Sequence, residues 1–88
     1  MQIDPNALRT GAEAGAYVRR ARRAIGLRQA DLAVAAGVSV RTVHNVEEGK
    51  SNVKLATLLR VLDALGLALE VSPKRRRLTP PVSPEDDE

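Results

Sequence analysis

The chain has 88 residues, enough for one small domain, and such a domain buries only about 60% of the surface that its unfolded chain exposes. It contains no Phe or Trp and one aromatic residue, Tyr17, so Leu, Val, Ile and Ala must form the core, which favours packed helices over a sheet. Cysteine is absent, which excludes disulfides and thiolate metal sites. Neither a signal peptide nor an apolar run of about 20 residues occurs, and we expect a cytoplasmic protein.

The formal charge of +3 conceals an uneven distribution of charged residues. The last four residues, EDDE, hold four of the eleven acidic side chains. Residues 1–84 therefore carry fourteen basic and seven acidic side chains, a net charge of +7. A surplus of this size in a small domain indicates a polyanionic partner.

The first predicted elements are an irregular N-terminal arm and a helix. Residues 1–9 contain Pro5 and have no clear period. Thr10 and Glu13 have the spacing of a capping box, which predicts a helix from Thr10 to a left-handed stop at Gly26. One stripe of this helix holds Val18, Ala21, Arg22 and Ile25.

A second helix is predicted over about Gln29 to Ala36, followed by a tight turn. Its start signal is poor, because Arg28 stands where a capping Ser, Thr or Asp is usual. Ala33 is small enough for a close helix crossing, and Gly37 tolerates positive φ in the turn. The side chains expected in the core are Leu32, Ala33 and Ala36.

The third predicted helix is short and has two different sides. It is capped by Ser39, faces Val43 and Val46 to the core, and stops at Gly49. Its outer side then carries Val40, Arg41, His44 and Asn45.

The remaining chain is predicted to contain a linker, a fourth helix, one strand and a tail. After the linker Lys50 to Asn52, leucines recur at helical spacing at positions 55, 58, 59, 62 and 65. Leu67 to Ser72, LALEVS, alternates apolar and polar residues as a half-buried strand does. Residues 73–88 are rich in proline and charge and are expected to be disordered. Within them, Lys74 to Arg77 either lies along phosphates or balances the acidic run EDDE.

These elements predict an all-α fold. We expect a bundle of four to five helices over residues 10–66 that contains a helix-turn-helix, followed by one short strand over residues 67–72. The run GLRQADLAVAAGVSVRTVHNVEEGK, residues 26–50, resembles the helix-turn-helix of the lambda-repressor-like, or Xre, family of DNA-binding domains. The matching residues are Gly26, Leu27, Gln29, Leu32, Ala33, Gly37, Val38, Ser39, Thr42, Val43, Glu47 and Gly49. Arg28 departs from the threonine usual in the family.

The resemblance implies a DNA-reading surface on the third helix, which in that family lies in the major groove. Carried onto this chain, the base-reading residues are Ser39, Val40, Arg41, His44 and Asn45. Arg41 could bind a guanine, Asn45 an adenine and Val40 a thymine methyl group. The alternative for each is an ordinary solvated side chain.

Phosphates are expected at helix N-termini, where free N–H groups and the helix dipole favour anions. The candidate phosphate-binding residues are Arg28, Gln29, Thr42, Lys50, Ser51 and Lys54. Such contacts position a protein on DNA without reading its sequence.

Arg22 lies on the apolar stripe of the first helix, where a charge needs a partner or costs several kcal/mol. Glu47, directly after Val46 on the inner side of the third helix, is the best partner available, and the family resemblance implies the same pair. We therefore predict a partly buried salt bridge between Arg22 and Glu47.

The predicted strand indicates a dimer, because an unpaired apolar strand edge favours pairing with another chain. We expect Leu67, Leu69 and Val71 to contribute to a two-fold interface in which the strand pairs with its copy. Two recognition helices would then lie about 34 Å apart, suited to a palindromic operator. The alternative is a strand that folds back onto its own helices.

The layout of helices, short strand and charged tail resembles that of HipB-type antitoxins. That resemblance implies a nucleoid-associated repressor of its own operon that binds double-stranded DNA and holds a HipA-type toxin kinase. A free-standing Xre-family regulator and a protein-interaction module without DNA binding remain alternatives.

An enzyme is not expected, because the sequence has no cysteine, no glycine-rich phosphate loop and scattered carboxylates. His44 is the one histidine and has no acidic cluster beside it, so we expect neither a metal site nor a cofactor.

Overall fold

The computed structural model describes residue 8, residues 10–71 and residue 73. Within them the chain forms four helices, α1 (Gly11–Ala24), α2 (Gln29–Ala36), α3 (Val40–Glu47) and α4 (Leu55–Ala64). The predicted all-α fold is confirmed, with four helices. The predicted arm, apart from Leu8, and the predicted tail, apart from Pro73, lie outside the described residues.

The capping residues of α1 and α3 explain where these helices begin. Thr10 and Glu13 form the expected capping box: the Thr10 hydroxyl accepts from the Glu13 N–H at 3.1 Å, and the Glu13 carboxylate accepts from the Thr10 N–H at 3.2 Å. Ser39 caps α3 by accepting from the Thr42 N–H at 3.0 Å. Both starts are therefore fixed by local sequence.

The start of α2 depends on a different residue. Arg28 occupies the N-cap position but has no side-chain acceptor, so it cannot bind the free N–H groups of the first turn. Instead, the Asp31 carboxylate accepts from the Arg28 backbone N–H at 2.9 Å. The helix thus starts where the sequence predicted, at Gln29, although the usual capping side chain is missing.

The turn between α2 and α3 is closed by a glycine in the left-handed conformation. Gly37 has φ of 71° and ψ of 34°, its N–H donates to the Val34 carbonyl at 3.2 Å, and the Val38 N–H donates to the Ala33 carbonyl at 3.0 Å. This pair of bonds is a Schellman motif, which favours glycine because a Cβ atom is strained at positive φ.

The core forms where α1 and α2 pack against α3 and where α4 packs against α2. Its buried apolar residues are Val18, Leu32, Ala33, Val43, Val46, Val61 and Leu62. All of them except Val61, which is completely buried, were predicted from the sequence to face the core.

Three residues assigned to apolar stripes are exposed instead. On α4, Leu55 and Leu59 are 62% and 43% exposed, because the buried side of this helix is centred on Val61 and Leu62. Ile25 is 58% exposed, since α1 ends at Ala24 and Ile25 leaves the helical path with φ of −102° and ψ of 9°.

Helix α1 crosses the C-terminal end of α3 at very short range, and glycines at the crossing allow this close approach. A Cβ atom added at Gly15 would lie 2.5 Å from the carbonyl oxygens of both Val46 and Glu47. One at Gly49, after α3, would lie 2.7 Å from the Ala12 backbone. The two helix backbones are therefore in direct contact, which the sequence analysis did not anticipate.

The region after α4 forms no strand within the single chain over residues 67–71. Leu67 is half-buried and packs against the core, and its N–H donates to the Leu62 carbonyl at 2.8 Å. Leu69 is 42% and Val71 93% exposed, while Ser72 lies outside the described residues. The alternative in which this segment folds back as a strand is not observed, and a strand formed between two copies stays a prediction. Across the described residues, no helix has the length and apolarity needed to span a membrane.

Candidate nucleic-acid interface

The two sides of α3 differ sharply in their surroundings. Val43 is completely buried, and Val46 and Glu47 are 3% and 4% exposed. Four of the five predicted base-reading residues lie on the other side, in the first two turns of α3: Val40, Arg41, His44 and Asn45. Val40, Arg41 and His44 are exposed, and Asn45 is half-buried. The fold thus holds α3 by one side and leaves the other side accessible.

Ser39, the fifth predicted base-reading residue, also forms the cap of α3. Its hydroxyl oxygen accepts from the Thr42 N–H and lies 2.8 Å from the Thr42 hydroxyl oxygen. The predicted phosphate-binding residue Thr42 is therefore bonded to a predicted base-reading residue. Only one hydroxyl hydrogen is used between them, so the other remains available to an outside acceptor.

Three exposed cations on α3 and in the connection after it have no acidic partner among the described residues. Arg41 is on α3, Lys50 follows α3, and Lys54 is the N-cap of α4, and all three are exposed. Ser51, in the connection between them, is exposed as well. No side chain caps α4 at Lys54. These four predicted residues are thus free to bind anions.

Arg28, a further predicted phosphate-binding residue, already has a partner. Its guanidinium donates from Nε and Nη2 to the two oxygens of Asp31, each at 3.1 Å. This pairing raises the pKa of Arg28, and together with the bond from the Arg28 backbone N–H it lowers the pKa of Asp31. Both side chains are substantially exposed, and an ion pair of this kind is weak in water.

Gln29, also predicted to bind phosphate, directs its amide into the protein. Its Nε2 donates to Glu47 Oε1 at 3.0 Å, joining the first residue of α2 to the last residue of α3. One amide hydrogen and the amide oxygen make no hydrogen bond among the described residues. Of the six predicted phosphate-binding residues, Gln29 is the one that reaches the core.

The Glu47 carboxylate is the centre of a buried polar cluster. Arg22 donates to it from Nε at 2.6 Å and from Nη2 at 3.1 Å, so the two groups predicted to pair are in contact. Arg22 also donates from Nη1 to the Leu27 carbonyl at 2.8 Å, and Arg19 Nε lies 3.3 Å from Glu47 Oε1. Glu47 thereby connects α1, α2 and α3.

The ionised form of Glu47 is stabilised by these donors. Burial raises the pKa of the carboxyl, but the hydrogen bonds from Arg22, Gln29 and Arg19 and the charge of Arg22 together lower it by more. The pKa of Glu47 therefore lies below its ordinary value of 4.5. No buried side-chain N or O atom in the described part of the chain lacks a hydrogen-bond partner.

Two members of this cluster were missed in the sequence analysis. Arg19 is 28 residues from Glu47 and Gln29 is 18 residues from it, so no local spacing relates them. Arg22 was identifiable because a charge on an apolar stripe must be compensated. As for metals, the described residues bring together no group of three or more His, Asp or Glu side chains that could hold an ion.

Comparison with protein families identifies the same region. The profile of a family described as a helix-turn-helix domain matches residues 13–73. An uncharacterized HTH-type transcriptional regulator, y4mF of Sinorhizobium fredii (strain NBRC 101917 / NGR234), is 38% identical over 71 residues, covering 80% of this chain and 93% of that protein.

Solved structures with a similar fold are also found. A chain in the HipA-HipB-O2-O3 complex has a TM-score of 0.74 at 21% identity, covering 80% of this chain and 99% of that one. The HipB-O4 20mer complex gives the same values. The restriction-modification controller protein C.AhdI from Aeromonas hydrophila is 34% identical, with a TM-score of 0.61 over 66% of this chain and 88% of its own.

Proposed function

Because this chain belongs to the Xre-like helix-turn-helix family of transcriptional regulators, we propose that it binds double-stranded DNA sequence-specifically through the outer side of α3. One observation carries the proposal: α3 is held in the core by Val43, Val46 and Glu47, while Val40 and Arg41 at its start are exposed. A helix presented in this way can enter a major groove, where its N-terminal residues meet base edges.

The base contacts follow from the chemistry of each side chain. Arg41 can donate two hydrogen bonds to a guanine, and Asn45 can pair with an adenine. Val40 can pack on a thymine methyl group. Ser39, which caps the helix, and His44 would supply further hydrogen bonds. The exposed positions of Val40, Arg41 and His44 support these roles.

Phosphate contacts would fix α3 in register on the duplex. Lys50, Ser51 and Lys54 are exposed and unpaired among the described residues, which suits them for this role. Arg28 would have to leave Asp31 or bind phosphate with its remaining hydrogens. The hydroxyl pair of Ser39 and Thr42 has one free O–H for the same purpose.

The protein would act on DNA as a two-fold dimer. The exposed Leu69 and Val71 alternate with Ala68 and Glu70, as expected for a strand that pairs with its copy, and Leu67 links this segment to the core. A dimer places two recognition helices about 34 Å apart and favours a palindromic operator.

Within this class, we favour a nucleoid-associated antitoxin that represses its own operon and binds a HipA-type toxin kinase, without catalytic activity of its own. The support is the fold likeness to HipB, which extends over 80% of this chain and 99% of that chain. A free-standing regulator is the second candidate, supported by the higher sequence identity to y4mF, an HTH-type transcriptional regulator, and to the controller protein C.AhdI.

The DNA-binding proposal is tested by selecting duplexes from a random pool and measuring affinity for the enriched duplex at 50 and 200 mM salt. Affinity should fall by about a hundredfold or more, because binding releases cations from the phosphates and a higher salt concentration reduces the free energy gained from that release. Arg41→Ala should reduce discrimination against a changed base by about 5- to 150-fold, while Lys54→Ala should weaken all duplexes equally. A wild-type chain that enriches no sequence would indicate an interaction module instead.

The antitoxin proposal is tested by co-expressing the chain with its neighbouring gene and purifying it through a tag on the product of that gene. A kinase-like neighbour that co-purifies, and whose complex binds the shared promoter, supports an antitoxin. Promoter binding by the chain alone, with no co-purifying neighbour, supports the free-standing regulator.

A further inference from the structure

The hydrogen bond between Gln29 and Glu47 joins the two free ends of the helix-turn-helix. Helices α2 and α3 are connected at one end by the turn at Gly37. At the other end, the first residue of α2 donates from Nε2 to the carboxylate of the last residue of α3, at 3.0 Å. The two helices and this bond form a closed triangle. We call the contact the closing bond.

The acceptor of the closing bond is itself held in place. Glu47 is 4% exposed, and Arg22 on α1 binds both carboxylate oxygens, at 2.6 and 3.1 Å. Gly15, also on α1, contacts the backbone of Glu47 directly. The Glu47 carboxylate therefore cannot move with Gln29. The hydrogen bond between them persists only while the start of α2 keeps its position relative to α3.

A turn alone leaves the angle between two helices free to vary within the limits of packing, whereas a third contact across the open ends fixes it. The N-terminal end of α2 carries Arg28 and Gln29, and the outer side of α3 carries Val40 and Arg41. A change in the angle would move the base-reading side chains relative to any phosphate contact at the start of α2. Positional errors of this kind weaken base contacts, which need directed hydrogen bonds, more than they weaken contacts to phosphates.

We propose that Gln29 is a positioning residue for sequence recognition: through the closing bond it fixes the angle between α2 and α3, so that base contacts and phosphate contacts are made together. This inference rests on the proposed function. It differs from the role of direct phosphate binding expected for Gln29 from the sequence, and the two roles have different consequences. A phosphate ligand contributes equally to all duplexes, whereas a positioning residue contributes to the preferred duplex alone.

The test compares Gln29→Met with Arg28→Met in the full chain. Methionine keeps the length of the glutamine side chain but has no amide to donate to Glu47. Arg28 neighbours Gln29 at the same helix end but has no contact with Glu47, so its substitution is the matched control. For each protein, affinity is measured for the selected duplex, for a duplex with one changed base pair and for an unrelated duplex, at several salt concentrations and at a temperature where circular dichroism shows full folding.

Gln29→Met should reduce discrimination by about threefold to tenfold, a part of what one bidentate base contact supplies, with affinity for unrelated DNA unchanged. Arg28→Met should weaken all duplexes alike and lower the slope of log K against log salt by about one. An equal loss on all duplexes for Gln29→Met would overturn the proposal in favour of phosphate binding. Unchanged discrimination would also overturn it.

A second measurement does not require DNA. Residual dipolar couplings of the backbone amides report the angle between α2 and α3 in the free protein. The angle should change or become averaged in Gln29→Met and stay the same in Arg28→Met, and an unchanged angle in both variants would overturn the proposal. A wild-type chain without sequence-specific DNA binding would refute the proposed function. If the wild type discriminates between duplexes and Gln29→Met discriminates equally well, this inference alone is refuted.

Discussion

Gly15→Ala tests the close crossing of α1 and α3. In an ordinary helix this substitution would stabilise the protein by about 1 kcal/mol, because alanine loses less conformational entropy than glycine. Here the added Cβ atom would lie 2.5 Å from two backbone carbonyl oxygens, those of Val46 and Glu47. Neither oxygen belongs to a flexible side chain that could move aside. The helices must therefore separate.

The expected loss follows from the size of that separation. Ordinary van der Waals contact begins at 3.4 Å, so a separation of about 0.9 Å is needed. Overpacking of this kind costs about 1–3 kcal/mol. The shift also moves Glu47 away from Arg22 and Arg19, and weakening a hydrogen bond between charged groups costs up to about 1.5–3 kcal/mol. After the gain in helix propensity, we expect a net loss of about 2–4 kcal/mol.

The assay is urea and thermal unfolding followed by circular dichroism, with Ala16→Gly as the control. Ala16 is the exposed neighbour of Gly15 in α1, and its replacement by glycine should cost only the propensity difference of about 1 kcal/mol. Gly15→Ala should lower Tm by at least about 8 °C, given that 1 kcal/mol corresponds to about 4–8 °C in a domain of this size. A Gly15→Ala protein as stable as the wild type would show that α1 and α3 can accommodate a methyl group at this crossing.

Three further predictions concern the buried cluster, the start of α2 and the dimer. The folded pKa of Glu47 lies below 4.5, so the stabilising contribution of this carboxylate is present above that pH and is lost as the pH falls through the folded pKa. Glu47→Gln should therefore flatten the fall in Tm on acidification below pH 4.5, and an unaltered acid profile would contradict this. Asp31→Ala should lower Tm more than Arg28→Ala in thermal unfolding, because only the first removes the bond to the Arg28 backbone N–H; equal effects would argue against this cap. Val71→Asp should convert the dimer to a monomer in analytical ultracentrifugation. Ala68→Asp lies on the other face of the predicted strand and should leave the dimer intact. Dissociation by both substitutions or by neither would rule out the predicted pairing.

The helix-turn-helix could be predicted from the sequence in detail because its signals are local. Ser39 and Gly37 specify the beginning of α3 and the turn before it through bonds that reach only a few residues along the chain. The bounds of α2, Gln29–Ala36, agree with those predicted. For the same reason, Val43 and Val46 could be assigned to the core and Val40 and Arg41 to the outside.

The orientation of α4 could not be predicted in this way. Its leucines form a helical stripe, but the chain has more apolar residues on α4 than one buried side accommodates. Packing against α2 selects the side with Val61 and Leu62 and leaves Leu55 and Leu59 exposed. Periodicity identifies an amphipathic helix, but it does not determine which of two overlapping apolar faces the rest of the fold covers.

A contact between residues distant in the sequence could be predicted only where a charged residue stood among apolar ones. Arg22 on an apolar stripe required an acidic partner, and this led to Glu47. Gln29 is a normal residue for the start of a helix, so nothing in the sequence indicated that its amide would reach the same carboxylate. Gly15 lies in the middle of a helix, where glycine usually lowers stability. Its role becomes clear only from the close approach of the Glu47 backbone, which the sequence does not show.

The central claim, that the outer side of α3 contacts DNA bases, is tested most directly by NMR. The backbone amides of the labelled protein, with the His44 ring and the Arg41 guanidinium, are followed during titration with a selected duplex and with an unrelated duplex. We expect the selected duplex to shift the resonances of Val40, Arg41 and His44 strongly, with smaller changes at Lys50 and Lys54. The unrelated duplex should shift mainly the resonances of the two lysines. An α3 whose resonances stay unchanged while the selected duplex binds elsewhere would contradict it.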